Sequence, residues 1–302
     1  MPSEKKSVVT LYRQHLMLEK GLSANTIEAY AVDLEKLQQF VLEQGIESVL
    51  RVTHEDLQQF MAQLHDEGIS PRSRARTVSG IRSFYRFLLL DDYVRTDPTE
   101  LLEAPRIGMK LPEVLSVGEI DRILASIDLS QPQGQRNRAM LEVLYSCGLR
   151  VSELTGLKRS DVYFEEEFIT VEGKGSKRRL VPISPGALHE IRNYLHDRQR
   201  IAVAKGFEDT LFLNGRGKAL TRVTVFHVIR THAGLAGITK TVSPHTFRHS
   251  FATHLLEGGA HLRAIQMMLG HEKITTTELY THLDRESLRR EIVEHHPRNK
   301  GK

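Results

Sequence analysis

Residues 91–116 separate two helical stretches with three prolines and a glycine. Each proline fixes its own backbone φ angle and disfavours helix in the residue before it, so a continuous helix across this segment is disfavoured. A chain of 302 residues is also long enough to bury two hydrophobic cores. We therefore predict two domains, residues 1–107 and residues 108–302, with the boundary close to Gly108.

The sequence before this connection has the spacing of apolar residues that is typical of helices. Four helices are predicted, of which the first covers Leu11 to Leu18 and the last runs to about Leu90. Thr53 has Asp56 at the spacing of a capping box. The candidate N-caps of the last three helices, whose side chains can accept hydrogen bonds from free N–H groups, are Ser23, Thr53 and Ser70.

The sequence after the connection is predicted to be helical around one small β-sheet. A helix covers Arg136 to Cys147 and ends at Gly148, and helices return from Gly186 to the end of the chain. Between them, residues 161–183 hold two short runs rich in β-branched residues, FITV and RRLVPI, on either side of GKGSK. Such runs around a glycine-rich turn are typical of an antiparallel hairpin. The predicted fold class is therefore mainly α.

The composition argues against a disulfide-stabilised protein, a membrane-spanning protein and a protein with a signal peptide. The single cysteine, Cys147, cannot form an intramolecular disulfide, so a reducing cytoplasm is the expected compartment. No run approaches the roughly 20 apolar residues that span a bilayer, and the first residues lack the apolar stretch of a signal peptide. The net charge of +4 permits a polyanionic partner without requiring one.

A candidate anion-binding site lies where Ser243 and Pro244 begin a helix. His245 and Arg248 then fall in its first turns, three residues apart and on one face. The free N–H groups and partial positive charge of a helix start attract anions such as phosphate. From these residues alone, a solvated helix start with ordinary polar side chains is the alternative.

Four other residues can support the same chemistry, each with a simpler alternative. Arg150 follows a helix-ending glycine and has Glu153 three residues on, which could form an ordinary ion pair. Lys174 lies between two glycines at the predicted hairpin tip, where a lysine can serve solubility alone. His271 follows a glycine, and Tyr280 lies nine residues further on, where it could be a core residue. A phenol is a weak nucleophile unless cations favour its ionised form.

Taken together, the order Arg, Lys, His-x-x-Arg, His and Tyr resembles the tyrosine site-specific recombinases of the integrase family, most closely the Xer type. The resemblance covers nearly the whole chain and is densest from Arg136 to Arg298. The closing stretch ELYTHLDRESLRREIVEHHPR is more similar to the XerD type than to the XerC type. The resemblance implies an N-terminal helical, SAM-like DNA-binding domain. It also implies a C-terminal mixed α domain with a small antiparallel β-sheet, the DNA breaking-rejoining enzyme fold.

The resemblance implies a role for each residue that matches the family's pattern. Arg150 and Arg248 would hold the non-bridging oxygens of one DNA phosphate, and planar guanidinium groups suit that task. Glu153 would hold this pocket together. His245 would contact the phosphate and transfer protons, and His271 would stabilise the phosphoryl transition state.

The same resemblance makes Tyr280 the nucleophile and Lys174 the general acid for the departing 5′ oxygen. The resulting 3′-phosphotyrosyl bond keeps the energy of the phosphodiester, so no ATP, metal ion or other cofactor is implied. The implied function is site-specific recombination in chromosome dimer resolution and segregation. The alternatives are a mobile-element integrase, a type IB topoisomerase, a catalytically silent DNA-binding relative, and a metal hydrolase using His245 and His249.

A second candidate DNA-binding surface is the predicted helix after Ser70, where arginines crowd together with Tyr85 and Phe87 between them. Arginine side chains contact DNA phosphates and base edges, so a helix that faces DNA is favoured over a solvated basic face. The candidate DNA-binding residues are Arg72, Arg74, Arg76, Arg82 and Arg86, with Lys177 and Arg178 beside the hairpin tip.

The partners implied by the resemblance are a double-stranded DNA recombination site and further recombinase subunits, with no membrane. The chain would act in a homo-tetramer on DNA, or in a hetero-tetramer with a XerC-like paralogue, and an FtsK-like translocase could activate it. Residues 287–296 alternate apolar and charged side chains. This C-terminal stretch could pack on its own domain or dock onto a neighbouring subunit.

Overall fold

The structure, a computed structural model, describes residues 3–20, 22, 24–106, 108, 113–173, 177–270 and 282–299. The chain divides into two compact units, Met1–Lys110 and Leu111–Lys302, and the division falls inside the proline-containing connection. Within the described residues, no helix has the length and apolar character that crossing a bilayer requires.

The first unit is helical, as predicted. Its described α-helices are α1 (Ser3–Leu18), α2 (Ala24–Glu43), α3 (His54–Asp66) and α4 (Pro71–Leu90), with a 3-10 turn at Val49–Arg51. Thr53 and Asp56 form the predicted capping box at the start of α3, and Ser70 accepts the backbone N–H of Ser73 at the start of α4. Ser23 lies outside the described residues. The aromatic core includes Tyr12 and Phe84, whose rings meet edge to face at 5.2 Å.

The second unit surrounds a small sheet with helices, and the predicted mainly α fold class is confirmed. The strands β1 (Val162–Tyr163), β2 (Phe168–Glu172) and β3 (Arg178–Pro182) form an antiparallel sheet in that order. The described helices are α5 (Val117–Ala125), α6 (Gly134–Cys147), α7 (Val151–Thr155), α8 (Pro185–Arg198), α9 (Arg222–Leu235), α10 (Pro244–Glu257), α11 (Leu262–Leu269) and α12 (His282–His295).

Helix α6 runs through the core of this unit and determines where the chain turns towards the site. Most of its side chains from Ala139 to Cys147 are completely buried. Gly148 ends the helix with a φ of 58°, in the left-handed region that favours glycine. A Cβ at this position would also clash with the ring of Phe251, so glycine is required for the close approach of α10. The turn after Gly148 delivers Arg150 to the start of α7.

The prediction of helices from Gly186 to the end of the chain is wrong for residues 199–221, which contain no helix. In this segment Leu211, Phe212 and Leu213 are buried in succession, whereas a surface helix would expose one face. Two isolated β-bridges, Lys158 with Thr210 and Leu213 with Ala219, hold the segment in place. Asn214 and three glycines supply the turns.

The C-terminal stretch packs on its own unit in this structure. Leu288 and Ile292 of α12 are buried in the core cluster of the second unit. After the helix, Arg298 donates a hydrogen bond to Asp121 at 2.5 Å and forms an ion pair with Glu142 at 2.8 Å. The packing predicted for a monomer is therefore observed, and docking onto a neighbouring subunit stays a prediction.

Candidate active site

Arg150 and Glu153 meet at the start of α7, as their spacing predicts. Arg150 is the N-cap residue, and the Glu153 carboxylate accepts its backbone N–H at 2.8 Å in a capping box. The same carboxylate accepts Nη1 of Arg150 at 2.8 Å. The Arg150 side chain is 43% exposed, so one side of its guanidinium group stays open to a ligand.

Arg248 approaches the same carboxylate from α10. Ser243 caps this helix with Pro244 in its first turn, as predicted, which places Arg248 about one turn into the helix. Its Nη1 lies 3.8 Å from Oε2 of Glu153 and donates to the carbonyl of Gly148 at 2.7 Å. Its side chain is only 9% exposed, because α6, α7 and α11 cover it.

Arg179 completes the cluster from β3, although it is absent from the predicted site residues. Its Nη1 and Nη2 donate to Oε1 and Oε2 of Glu153 at 2.8 and 3.0 Å, and its side chain is 8% exposed. The alternation of β3 carries the signal that would have found it. Arg179 shares a face with the buried Val181, so a basic residue points into the core.

The charges of the cluster favour an anionic ligand. Burial alone would raise the pKa of the Glu153 carboxyl, but hydrogen bonds and charge from Arg179, with bonds from Arg150, outweigh burial and lower it. Burial and the neighbouring Arg150 charge lower the pKa of Arg248 to about 10, so it remains charged at neutral pH. Within the described residues, three guanidinium groups therefore share one carboxylate and leave an excess of positive charge.

The same three arginines hold the C-terminus of α11. Arg179 Nε donates to the carbonyl of Met268 at 2.8 Å, and Arg248 Nη2 donates to that of Leu269 at 2.5 Å. Arg150 Nη2 lies 3.4 Å from the carbonyl of Gly270. Free carbonyl groups at a helix end attract cations, so each contact satisfies a group that the helix leaves unpaired.

The open side of the cluster faces a surface cleft. Its floor comes from α7, the turn after it, and the β2–β3 hairpin. The polar and charged side chains along its wall, beyond the cluster itself, are Ser152, Lys158, Ser160, Asp161, Thr170, Glu172 and Arg178. An elongated polyanion could reach Arg150 through this cleft without displacing the buried arginines.

Of the remaining predicted catalytic residues, the structure describes only His245. His245 is exposed on the first turn of α10, on the side of the helix that Arg248 shares. Lys174, His271 and Tyr280 lie outside the described residues, so their predicted roles stay predictions. Within the described ranges, no group of three or more His, Cys, Asp and Glu side chains is arranged to hold a metal ion.

The predicted DNA-binding arginines of α4 differ in their surroundings. Arg72 and Arg86 are exposed and Arg74 is half-buried. Arg76 forms an ion pair with Asp33 of α2 at 2.9 Å, and Arg82 donates to the carbonyl of Leu102. These two arginines therefore have partners inside the unit that lie far away in sequence.

Tyr85 and Phe87 do not belong to the basic face of α4. Both side chains are buried, and the Tyr85 hydroxyl donates to the carbonyl of Val49 at 2.7 Å. They lie among the arginines in the sequence, but neighbouring positions of a helix point in different directions, so these two side chains reach the core. In the second unit, Lys177 is exposed and Arg178 is exposed beside its ion-pair partner Asp161.

Two family models match the chain. The model of the phage integrase family matches residues 113–287. The model of the N-terminal SAM-like domain of phage integrases matches residues 9–91. The second match confirms the SAM-like class predicted for the first unit.

Curated relatives match nearly the whole chain. Tyrosine recombinase XerD of Staphylococcus saprophyticus is 44% identical over 292 residues, which cover 97% of this chain and 99% of that protein. Tyrosine recombinase XerD of Staphylococcus aureus strain Mu50 is 42% identical over 293 residues, with the same coverage of both chains.

Solved structures of two recombinases are also similar to this chain. XerH site-specific recombinase, bound to palindromic difH substrate in a post-cleavage complex, is 25% identical with a TM-score of 0.70. The match covers 88% of this chain and 79% of that one. The Tn1549 transposon integrase, in complex with circular intermediate DNA, is 22% identical with a TM-score of 0.70. It covers 93% of this chain and 98% of its own, and it shows the shared fold.

Proposed function

Since this chain belongs to the phage integrase family of tyrosine recombinases, we propose that it cuts and rejoins DNA at a specific site through a 3′-phosphotyrosyl intermediate. The observation that carries the proposal is the cluster of Arg150, Arg179 and Arg248 around Glu153. It presents the exposed Arg150 to a cleft while keeping an excess of positive charge. Such a cluster suits a phosphate diester, whose charge increases on its equatorial oxygens during transfer.

In the proposed reaction, the Tyr280 phenol oxygen attacks a backbone phosphorus while the bond from phosphorus to the 5′ oxygen breaks. Lys174 gives a proton to the departing 5′ oxygen, and a histidine accepts the phenol proton. The product is a 3′-phosphotyrosyl bond and a free 5′-hydroxyl. A 5′-hydroxyl from a partner strand then attacks the same phosphorus and releases the tyrosine, so the number of high-energy bonds is unchanged and no ATP is consumed.

The two arginines proposed to bind the phosphate, Arg150 and Arg248, take the role that metal ions have in many phosphoryl-transfer enzymes. Arg150 and Arg248 would bind the non-bridging oxygens, and His245 and His271 would contact the phosphate and the developing charge. Because fixed cations are already in place before the reaction, they need no reorganisation when the charge develops. The reaction would therefore proceed in the presence of a chelator.

The biological role we propose is chromosome dimer resolution in the cytoplasm. The support for it is the extent of similarity to the two XerD proteins, which covers almost all of both chains. Two copies of each of two recombinases, this chain and a XerC-like paralogue, would form a tetramer on double-stranded DNA, with an FtsK-like translocase as activator. A homo-tetramer would carry out the same chemistry with this chain at every position.

A covalent trapping experiment tests the function. The purified protein is incubated with sheared DNA from its source organism in the presence of EDTA and denatured with SDS. DNA fragments that remain attached to protein are then sequenced. We expect fragments that share one inverted-repeat sequence at a chromosomal locus. Recovery of mobile-element ends would favour an integrase, and relaxation of any supercoiled plasmid would favour a topoisomerase. The absence of a covalent product both from this chain alone and with a XerC-like paralogue added would contradict the proposal.

The exposed arginines of α4 provide a separate test of DNA binding. We expect the double variant Arg72→Ala and Arg86→Ala to bind the recovered duplex more weakly. The slope of log affinity against log salt should become less steep by about 1.8 units, since each lost phosphate contact removes about 0.9. Arg76 and Arg82 are left unchanged, because their internal partners connect them to stability.

The matched control removes the same number of charges from the same unit, with Arg51→Ala and Arg95→Ala, both exposed. The affinity is measured by fluorescence anisotropy over a range of salt concentrations. An α4 double variant with the salt slope of the wild type, or a control with an equal loss, would show that α4 does not face the DNA.

A further inference from the structure

Arg179 is buried as deeply as Arg248 and makes its hydrogen bonds in two directions. Its two terminal nitrogens donate to both oxygens of Glu153, and its Nε donates to the carbonyl of Met268. All three of its guanidinium nitrogens already donate to protein oxygens. Its effect on the reaction therefore passes through the groups that it holds.

The first direction fixes the Glu153 carboxylate. Parallel bonds from a guanidinium fork to both carboxylate oxygens determine the plane of the carboxylate as well as its position. The oxygens that Arg179 holds are the same ones that accept Nη1 and the backbone N–H of Arg150. The orientation of the exposed Arg150 guanidinium therefore depends on a carboxylate that Arg179 sets. A lysine has one nitrogen and cannot hold both oxygens in this way.

The second direction fixes the end of α11. Consecutive carbonyls of Met268, Leu269 and Gly270 receive Arg179, Arg248 and Arg150 in turn. Gly270 has a φ of 65°, and a Cβ there would lie 3.2 Å from atoms of the Arg179 side chain. The left-handed turn favours glycine at this position, and a Cβ would crowd the Arg179 side chain. The chain continues from this point into His271.

We propose that Arg179 is a positioning residue for the recombination reaction, which couples the orientation of Arg150 to the place where the chain leaves α11. This inference rests on the proposed function. A shift at Arg179 would displace Arg150 through Glu153 and the C-terminal end of α11 through the carbonyl of Met268. The reaction would slow although no residue proposed to contact the phosphate is removed.

Replacing the Arg179 guanidinium group does not leave the buried Glu153 carboxylate without a positive neighbour. We therefore expect the fold to tolerate a conservative change at this position. Glu153 would keep Arg150 at 2.8 Å and Arg248 at 3.8 Å as positive neighbours. A lysine at position 179 would also retain a positive charge near the carboxylate. Arg179→Lys is therefore the variant of choice, since it changes the geometry of the contact while the charge remains.

The matched control is Arg136→Lys. Arg136 is another buried arginine of the same unit, 4% exposed, and donates to the carbonyl of Leu213 at 3.2 Å. It lies in the first turn of α6, whereas the cluster lies beyond the last turn of that helix. Replacing its guanidinium group shows how a buried arginine with a purely structural role affects the melting temperature and the cleavage rate.

The experiment measures three quantities on the duplex recovered by covalent trapping. They are the melting temperature, the affinity for DNA, and the rate of covalent product formation in a single turnover at saturating DNA. For Arg179→Lys we expect a melting temperature close to that of the control variant and an affinity close to that of the wild type. The single-turnover rate should fall on the order of 10²-fold, because misplacing a reacting group by about 1 Å has an effect of that size. Arg136→Lys should keep the wild-type rate.

A double variant separates positioning from general destabilisation. If Arg179 acts through Arg150, then Arg150→Lys with Arg179→Lys should lose little more than the larger of the two single losses. Independent effects would multiply instead. Multiplied losses, a wild-type rate in folded Arg179→Lys, or a variant that does not fold would each overturn the proposal. If the wild-type protein forms no covalent product, the proposed function has failed first.

Discussion

Tyr280→Phe is expected to bind the recovered duplex as the wild type does and to form no covalent protein–DNA product. Phenylalanine keeps the ring but removes the oxygen that attacks the phosphorus, so the first bond cannot form. The phenol is proposed to react with the phosphate rather than to bind the DNA, so the affinity for DNA should be unchanged. The measurement compares SDS-resistant complexes and anisotropy titrations on the same duplex.

A second tyrosine serves as the control for this variant. Tyr163 of β1 lies in the same unit and is 40% exposed, so Tyr163→Phe removes an accessible hydroxyl without affecting the proposed chemistry. It should form product at the wild-type rate. A covalent product from Tyr280→Phe would show that another residue is the nucleophile. Loss of product from Tyr163→Phe alone would indicate that Tyr163 of β1 is that residue.

The second large effect is expected at Arg248. Arg248→Gln should reduce the single-turnover cleavage rate on the order of 10²–10³-fold, which is the usual effect of removing one donor that stabilises transition-state charge. The variant also leaves the carbonyls of Gly148 and Leu269 without their partner, so its melting temperature must be measured beside the rate. A loss below about tenfold in folded protein would contradict the role of Arg248.

Arg248→Lys adds a test of charge through pH. Burial lowers the pKa of Arg248 to about 10, and the same burial disfavours the charged form of a lysine, whose ordinary pKa is already about 10.4. The lysine variant should therefore lose its positive charge at a lower pH than arginine does. Its cleavage rate relative to the wild type should fall as the pH rises from neutral towards 9, and a constant ratio would argue against a requirement for charge at this position.

The features that the sequence predicts well are local ones. Thr53, Ser70 and Ser243 cap their helices as expected, because a capping side chain bonds to a backbone group two or three residues away. The hairpin is also visible in the sequence, since its β-branched runs and glycines are adjacent. The pairing of Arg150 with Glu153 follows from a separation of three residues.

The features that the sequence misses depend on contacts between distant elements. Arg179 meets Glu153 across 26 residues and Met268 across 89, so its partners are not evident from its neighbours. The ion pair of Arg76 with Asp33 spans 43 residues, so it is not evident from the sequence either. The Arg76 side chain stays 46% exposed, and its predicted DNA contact stays a prediction. The helix prediction for residues 199–221 is wrong for another reason. The apolar residues of this segment are buried in succession and do not follow the period of a helix.

Peptide mapping of the trapped product shows whether one tyrosine becomes joined to one backbone phosphate. The SDS-resistant complex is digested with nuclease and protease, and the modified peptide is identified by mass spectrometry. We expect a nucleotide attached through its 3′-phosphate to Tyr280, with a free 5′-hydroxyl on the released DNA end. A nucleotide attached to another residue, a linkage through a 5′-phosphate, or DNA held without any covalent bond would contradict it.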